Sequence, residues 1–106
     1  MDLVYILYGI VFEWDIQKSH KNRLKHGLSF EQATEIWKKE LVFVGNVARS
    51  LSGETRNAAI GFIEENLYVA IFTERGKRIR LISVRRARNG EKEVYKKKIS
   101  NRPGNG

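Results

Sequence analysis

Four arginines recur within nine residues: Arg78, Arg80, Arg85 and Arg86, with Lys77 just ahead of them. The Ile, Leu and Val residues between them predict a strand, in which alternate side chains share a face. Strict alternation puts Arg78, Arg80 and Arg86 on one face with Ile82 and Val84. It puts Arg85 on the other with Ile79, Leu81 and Ser83. A guanidinium on a strand that packs a core is costly unless it is solvated or paired. Arg80, extended by Arg85 or Arg86 at the strand end, can grip a phosphate through two parallel hydrogen bonds. The alternative for Arg80 is a structural ion pair with Glu54 or Glu74.

Two other groups carry proton chemistry. Glu54 and Arg56 flank Thr55, so along a strand they share a face with Ala58 and Ile60. A carboxylate beside guanidinium groups stays ionised and can accept a proton; the alternative is a solvated salt bridge at a loop end. Lys25-His26-Gly27 closes a helical stretch. His26 is a candidate general acid or base, or else a cation capping the helix terminus. His20 falls mid-helix and is given no role. Two histidines without cysteine or a carboxylate cluster do not make a metal site, and no cofactor is expected. Together these groups suit RNA cleavage by the adjacent 2′-oxygen. That reaction removes one proton, supplies another and places extra negative charge on phosphorus, which arginine and lysine can stabilise without a metal. The spacing is not unique to ribonucleases. From the residues alone the reading is a basic nucleic-acid or phosphate binder, with ribonuclease activity as one form of it.

The elements that must hold these residues follow from the rest of the chain. Its 106 residues suit one domain over 1–100, with 101–106 as a flexible tail holding the sole proline, Pro103. The absence of cysteine excludes disulfides, cysteine-bound zinc and a thiol nucleophile. The apolar run from Leu3 is too short to span a bilayer, and Asp2 precedes it where a signal peptide needs positive charge; a cytoplasmic protein without a membrane partner is expected. The net charge of +8 divides unevenly. Residues 1–53 hold 7 basic and 6 acidic side chains; residues 54–106 hold 13 and 6. That asymmetry suits a surface for a polyanion.

Leu3 to Trp14 predicts one strand or two short ones. Asp15 is a helix N-cap, with Gly27 as the left-handed residue that ends the helix. Ser29 and Gln32 have the spacing of a capping box, and Phe30, Ala33, Thr34 and Trp37 form one buried helical face. Leu41 to Val44 predicts a short extended segment, and Gly45 to Gly53 a loop. Strands over 57–63, 67–73 and 77–85 predict an antiparallel meander, and residues 89–100 a helix. The expected fold class is α+β: two N-terminal helices on a small antiparallel sheet, made of the meander and an N-terminal strand, with a C-terminal helix.

The order Phe12-Glu13-Trp14-Asp15-Ile16-Gln17-Lys18, then Asn22, then Lys25-His26-Gly27-Leu28-Ser29-Phe30-Glu31-Gln32-Ala33 resembles the opening of the BrnT family of toxins. Glu54-Thr55-Arg56 is similar to the family's Glu-x-Arg. Residues 79–87 are similar to its arginine-rich strand, with Glu91 and Tyr95 following at matching distances. The resemblance spans about residues 12 to 96. It implies a RelE-like fold and a metal-independent endoribonuclease that inhibits translation. It also implies a ribbon-helix-helix antitoxin that neutralises the toxin and represses the shared operon, with operator DNA bound only through that antitoxin. The family signature matches Lys25, His26, Glu54, Arg56, Arg80 and Arg85; Lys77, Arg78 and Arg86 are the expected RNA contacts. Two features depart from the family: Val84 replaces a usual Ala, and the run Leu3 to Gly9 is additional. The competing reading is a non-catalytic basic module that binds an antitoxin or nucleic acid in operon autoregulation.

Overall fold

The computed structural model describes residues 1–102; residues 103–106, most of the expected tail, lie outside the described residues. The N-terminal apolar run resolves into two strands, β1 (Asp2–Leu7) and β2 (Ile10–Asp15). Tyr8 and Gly9 join them, both with positive φ (51° and 78°). Two left-handed residues in succession match the twist of a tight hairpin.

Helix α1 (Ile16–His26) follows at once. The Asp15 carboxylate accepts the backbone N–H groups of Gln17 and Lys18 (2.9 and 3.1 Å), and Gly27, at φ 81°, closes the helix on the Arg23 carbonyl. Ser29 and Gln32 form the expected capping box, but α2 covers only Phe30–Ala33 before the chain tightens into a 3₁₀ turn over Thr34–Lys38. Four strands then run in sequence: β3 (Val42–Arg49), β4 (Thr55–Ile63), β5 (Asn66–Arg75) and β6 (Arg78–Arg86). Helix α3 (Asn89–Ser100) follows.

All six strands belong to one sheet in the order β1-β2-β6-β5-β4-β3. Every pairing is antiparallel except β2 with β6, which is parallel. The expected fold class is therefore corrected. The sheet is mixed and six-stranded, and strands rather than two N-terminal helices dominate the architecture. Two local departures account for this. Of the segment expected to be a short extended piece and a loop, Val42–Arg49 form the eight-residue strand β3, paired along β4 with an irregularity between Val44 and Ala48, and only Leu41 and residues 50–53 remain outside the strands. The N-terminal segment contributes two strands, and β2 docks beside β6 through Val11, Phe12 and Glu13. Alternating apolar residues form that extra layer of sheet because both strands bury one face.

Each face of the sheet has its own core. On one side Phe12, Trp14, Ala59, Ala70, Phe72, Leu81 and Val84 meet Leu28, Phe30, Ala33 and Ile36 from the α1–α2 segment. Trp37 packs edge-on against Phe12 and Phe72, with ring centres 5.1 and 5.6 Å apart. On the other side Val42, Ala58, Ile60, Leu67 and Val69 meet Tyr95 and Ile99 of α3. Helix α3 contacts β3 and β4. Its cluster includes no residue of β1 or β2, so among the described residues no helix covers that half of the face.

Beyond Arg80 the β6 edge loses its strand partner, and a side chain replaces it. The buried Asn22 amide accepts the Val84 N–H (3.1 Å) and donates to the Val84 and Leu28 carbonyls (2.9 and 2.8 Å). Without Asn22 these backbone groups would be buried unpaired. This contact locks α1 against β6.

Candidate functional site

A bulge decides where the arginines of β6 point. Leu81 pairs with Phe72 and Ser83 with Ile71, so Ile82 is an extra residue. Alternation resumes out of step after it. Leu81 and Val84 both enter the first core, and Arg80 and Arg85 consequently share the opposite face. The sequence expectation that they point to opposite faces is corrected on this ground.

Sharing a face does not bring the two together. Arg85 stands five residues further along β6, roughly 15 Å away at strand rise. Its guanidinium donates to both carboxylate oxygens of Glu91 (2.8 and 2.7 Å), and Glu91 also accepts the Arg88 N–H (2.8 Å). The bond from Arg85 holds the Glu91 carboxyl below its ordinary range, and the Arg88 N–H adds to this. Arg85 thus fastens the start of α3 to the sheet. Arg86 lies at the same end, its guanidinium carbon 5.6 Å from the centre of the Tyr68 ring.

On the uncovered half, four residues line up across four neighbouring strands. Glu13 of β2 faces Arg80 of β6, and Arg80 faces Thr73 of β5. Asn57 pairs with Phe72, so the next residues, Arg56 and Thr73, share the face of Arg80. The strand spacing makes the row Glu13–Arg80–Thr73–Arg56 about 15 Å long. Arg78 and Arg75, themselves paired, occupy the next positions along it.

The charges in this row are unequally satisfied. Arg80 donates to both oxygens of Asp2 (3.0 and 3.2 Å) and stands 3.7 Å from a Glu13 oxygen. That same Glu13 oxygen is 4.0 Å from Arg78. Arg75 grips Glu54 through two nitrogens (3.0 and 3.4 Å). This bond, followed by the charges of Arg75, Arg56 and Arg80, holds the Glu54 carboxyl below the usual carboxylate range. Among the described residues Arg56 forms no ion pair, and its Nε is shielded from solvent without an acceptor. The Thr73 hydroxyl is likewise shielded and unpartnered. Two orphaned donors in one row cost free energy unless a further acceptor completes them.

Glu54, Arg56 and Arg80 therefore belong to one electrostatic cluster. Lys25 and His26 do not join it through any hydrogen bond or ion pair among the described residues. They line a shallow depression of about 210 Å³ with Ile82 and Ser83, further along β6 from Arg80. Lys77 is exposed in the turn between β5 and β6. Sequence reasoning missed Asp2, Glu13, Thr73 and Arg75. Asp2 and Glu13 reach the row only through the parallel β2–β6 pairing, which no local pattern announces. Thr73 and Arg75 were within reach of the meander register, because each pairs with an arginine of β6. Among the described residues no group of three or more ligating side chains could hold a metal ion, and no helix is long and apolar enough to cross a membrane.

Comparison with known families adds one match. The family model described as "Ribonuclease toxin, BrnT, of type II toxin-antitoxin system" matches residues 14–91. No curated protein matches the sequence.

Proposed function

Because the chain belongs to the BrnT family of ribonuclease toxins of type II toxin–antitoxin systems, we propose that it is an endoribonuclease that needs no metal and uses the uncovered half of its sheet as the RNA site. Arg56 and Arg80 take the scissile phosphate and stabilise the charge that builds on it. A carboxylate of the same face removes the 2′-hydroxyl proton. The 2′-oxygen then bonds to phosphorus as the bond to the 5′-oxygen breaks, and His26 or Lys25 supplies the proton to that leaving oxygen. Lys77 and Arg78 contact flanking phosphates; Arg86, expected from the sequence to share the face of Arg80, is turned to the opposite face by the bulge and lies over Tyr68. Arg85, bound to Glu91, serves the fold.

The observation that carries this reading is Arg56. Among the described residues this guanidinium forms no ion pair, its Nε is shielded without an acceptor, and it stands in the same row as Arg80. RNA cleavage in this way inhibits translation, and a ribbon-helix-helix antitoxin silences the toxin and represses the operon in the cytoplasm. The competing reading, a non-catalytic module that binds antitoxin or nucleic acid, draws support from the pairing of Glu54 with Arg75 and of Arg80 with Asp2. Incubating the purified protein with RNA in excess EDTA separates the two. Cleavage leaving 2′,3′-cyclic phosphate and 5′-hydroxyl ends is expected to continue. Loss of cleavage in EDTA with recovery on adding a divalent ion would overturn metal independence. No cleavage under either condition favours the binding module.

A further inference from the structure

Three carboxylates reach the uncovered face: Asp2 from β1, Glu13 from β2 and Glu54 just ahead of β4. They differ in what their oxygens are doing. Asp2 gives both oxygens to Arg80, and Glu54 gives both to Arg75. The Glu13 carboxylate accepts no hydrogen bond from any side chain or backbone group among the described residues. Its nearest cations are Arg80 at 3.7 Å and Arg78 at 4.0 Å, both beyond hydrogen-bond distance. Its side chain is only 13% exposed, against 29% for Glu54 and 48% for Asp2.

The position of Asp2 adds a second constraint. A carboxylate held by both terminal nitrogens of an arginine occupies the place where two phosphate oxygens would bind. Asp2 thereby marks the oxyanion position on Arg80, and Glu13 adjoins the same guanidinium nitrogen from the neighbouring strand. A phosphate that replaces the half-exposed Asp2 brings its nucleotide alongside a shielded carboxylate with unused lone pairs.

We infer that Glu13 is the proton acceptor of the reaction, and that Glu54 is a positioning residue that acts through Arg75. This assignment rests on the ribonuclease reading above. Glu13 takes the proton of the 2′-hydroxyl, the 2′-oxygen bonds to phosphorus, and the 5′-oxygen leaves with its bonding pair and is protonated from the other side. A general base needs free acceptor capacity within reach of the proton it removes; the fork to Arg75 occupies one acceptor site on each Glu54 oxygen, whereas both Glu13 oxygens keep theirs. The charged groups facing Glu13 are Asp2 from β1, Arg78 and Arg80 from β6, and, at longer range, Arg75 from β5.

Single-turnover cleavage of a short RNA across pH, by the full chain and by its Glu13→Gln, Glu13→Asp and Glu54→Gln variants, tests the assignment. Glu13→Gln is expected to lose roughly a hundredfold or more in rate and to lose the fall of rate on the acid side. It should still bind an uncleavable RNA carrying a 2′-deoxy group at the scissile position. Glu13→Asp keeps an ionisable group and should retain the acid limb at a reduced rate. This variant decides the matter if Glu13→Gln does not fold, and a rate equal to wild type would then overturn the assignment. Glu54→Gln is expected to keep the acid limb and lose affinity more than rate. Cleavage by Glu13→Gln at the wild-type rate and pH profile, or an acid limb lost only in Glu54→Gln, would also overturn it. Wild-type protein that leaves RNA uncut overturns the ribonuclease reading itself, and the role of Glu13 with it.

Discussion

Arg80 and Asp2, 78 residues apart in sequence, meet in a two-bond fork with N–O distances of 3.0 and 3.2 Å. The contact exists because β1 pairs along β2 and β2 runs parallel to β6. Residues 1–13 lie outside the family match, which starts at residue 14. The N-terminal run forms the edge strand β1, whose first residue covers an arginine of the proposed RNA site.

Covering has a kinetic consequence. RNA phosphate must compete with the Asp2 carboxylate for Arg80. Asp2→Asn removes the charge and leaves the strand, so RNA affinity should rise roughly two- to fivefold, the scale of an exposed charge pair. The effect should appear in KM rather than in the rate at saturation, and should vanish in an Arg80→Ala background. Unchanged or weaker binding by Asp2→Asn would remove Arg80 from the phosphate site.

Arg56 and Arg80 should respond differently to removal. Among the described residues Arg56 forms no ion pair within 4 Å, so Arg56→Ala breaks none, although its charge acts on Glu54 at longer range. It should weaken RNA binding and lower the slope of log affinity against log salt by about one, the signature of one lost phosphate contact. Arg80→Ala should reduce cleavage roughly a hundredfold, on the scale of one donor to a developing oxyanion. Filter binding over a salt series and single-turnover rates check both. A salt slope unchanged in Arg56→Ala would leave its orphaned Nε without explanation.

Local signals were readable where they are short-range. Asp15, Gly27 and the Ser29–Gln32 pair act as their residue types require, because a cap is decided within four residues. The strands of the meander and α3 fall close to their expected positions for the same reason. The failures are non-local. The bulge at Ile82 changed which arginines share a face, and a single extra residue leaves no mark in an apolar run. The parallel pairing of β2 with β6 placed Glu13 beside Arg80, and nothing near either residue encodes that choice. Residues 45–53 looked like loop because of their glycines and polar side chains, yet most of that stretch continues β3 along β4.

Asn22 makes a stability prediction that does not depend on function. Its amide completes three backbone groups in a buried setting. Asn22→Ala leaves the Val84 N–H and the Val84 and Leu28 carbonyls without their partner. The cost should be about 2–4 kcal/mol, because unsatisfied buried groups carry their full desolvation penalty. Urea unfolding followed by tryptophan fluorescence measures it. A loss within error of zero would mean that water replaces the amide and that α1 is not locked through this residue.

The Arg85–Glu91 pair predicts how stability depends on pH. Hydrogen bonding from Arg85 is the main cause that lowers the Glu91 carboxyl in the folded chain. In the acid range the unfolded chain therefore binds more protons at this residue than the folded one. The stabilisation is complete above the ordinary glutamate value, about 4.3, and is lost as pH falls through the lower, folded value. Asp2, Asp15 and Glu54 shift in the same direction and add to the same dependence; Asp2, more exposed than Glu91, is the most strongly screened of them. Urea midpoints should thus hold steady from pH 7 to 5 and drop below about pH 4. Glu91→Gln should lower the midpoint at pH 7 and shrink the drop, because the variant has no proton left to gain at that position. An acid drop of the same size in Glu91→Gln would show that the anchor of α3 contributes nothing to it, and that the carboxylates of the uncovered face carry the whole dependence.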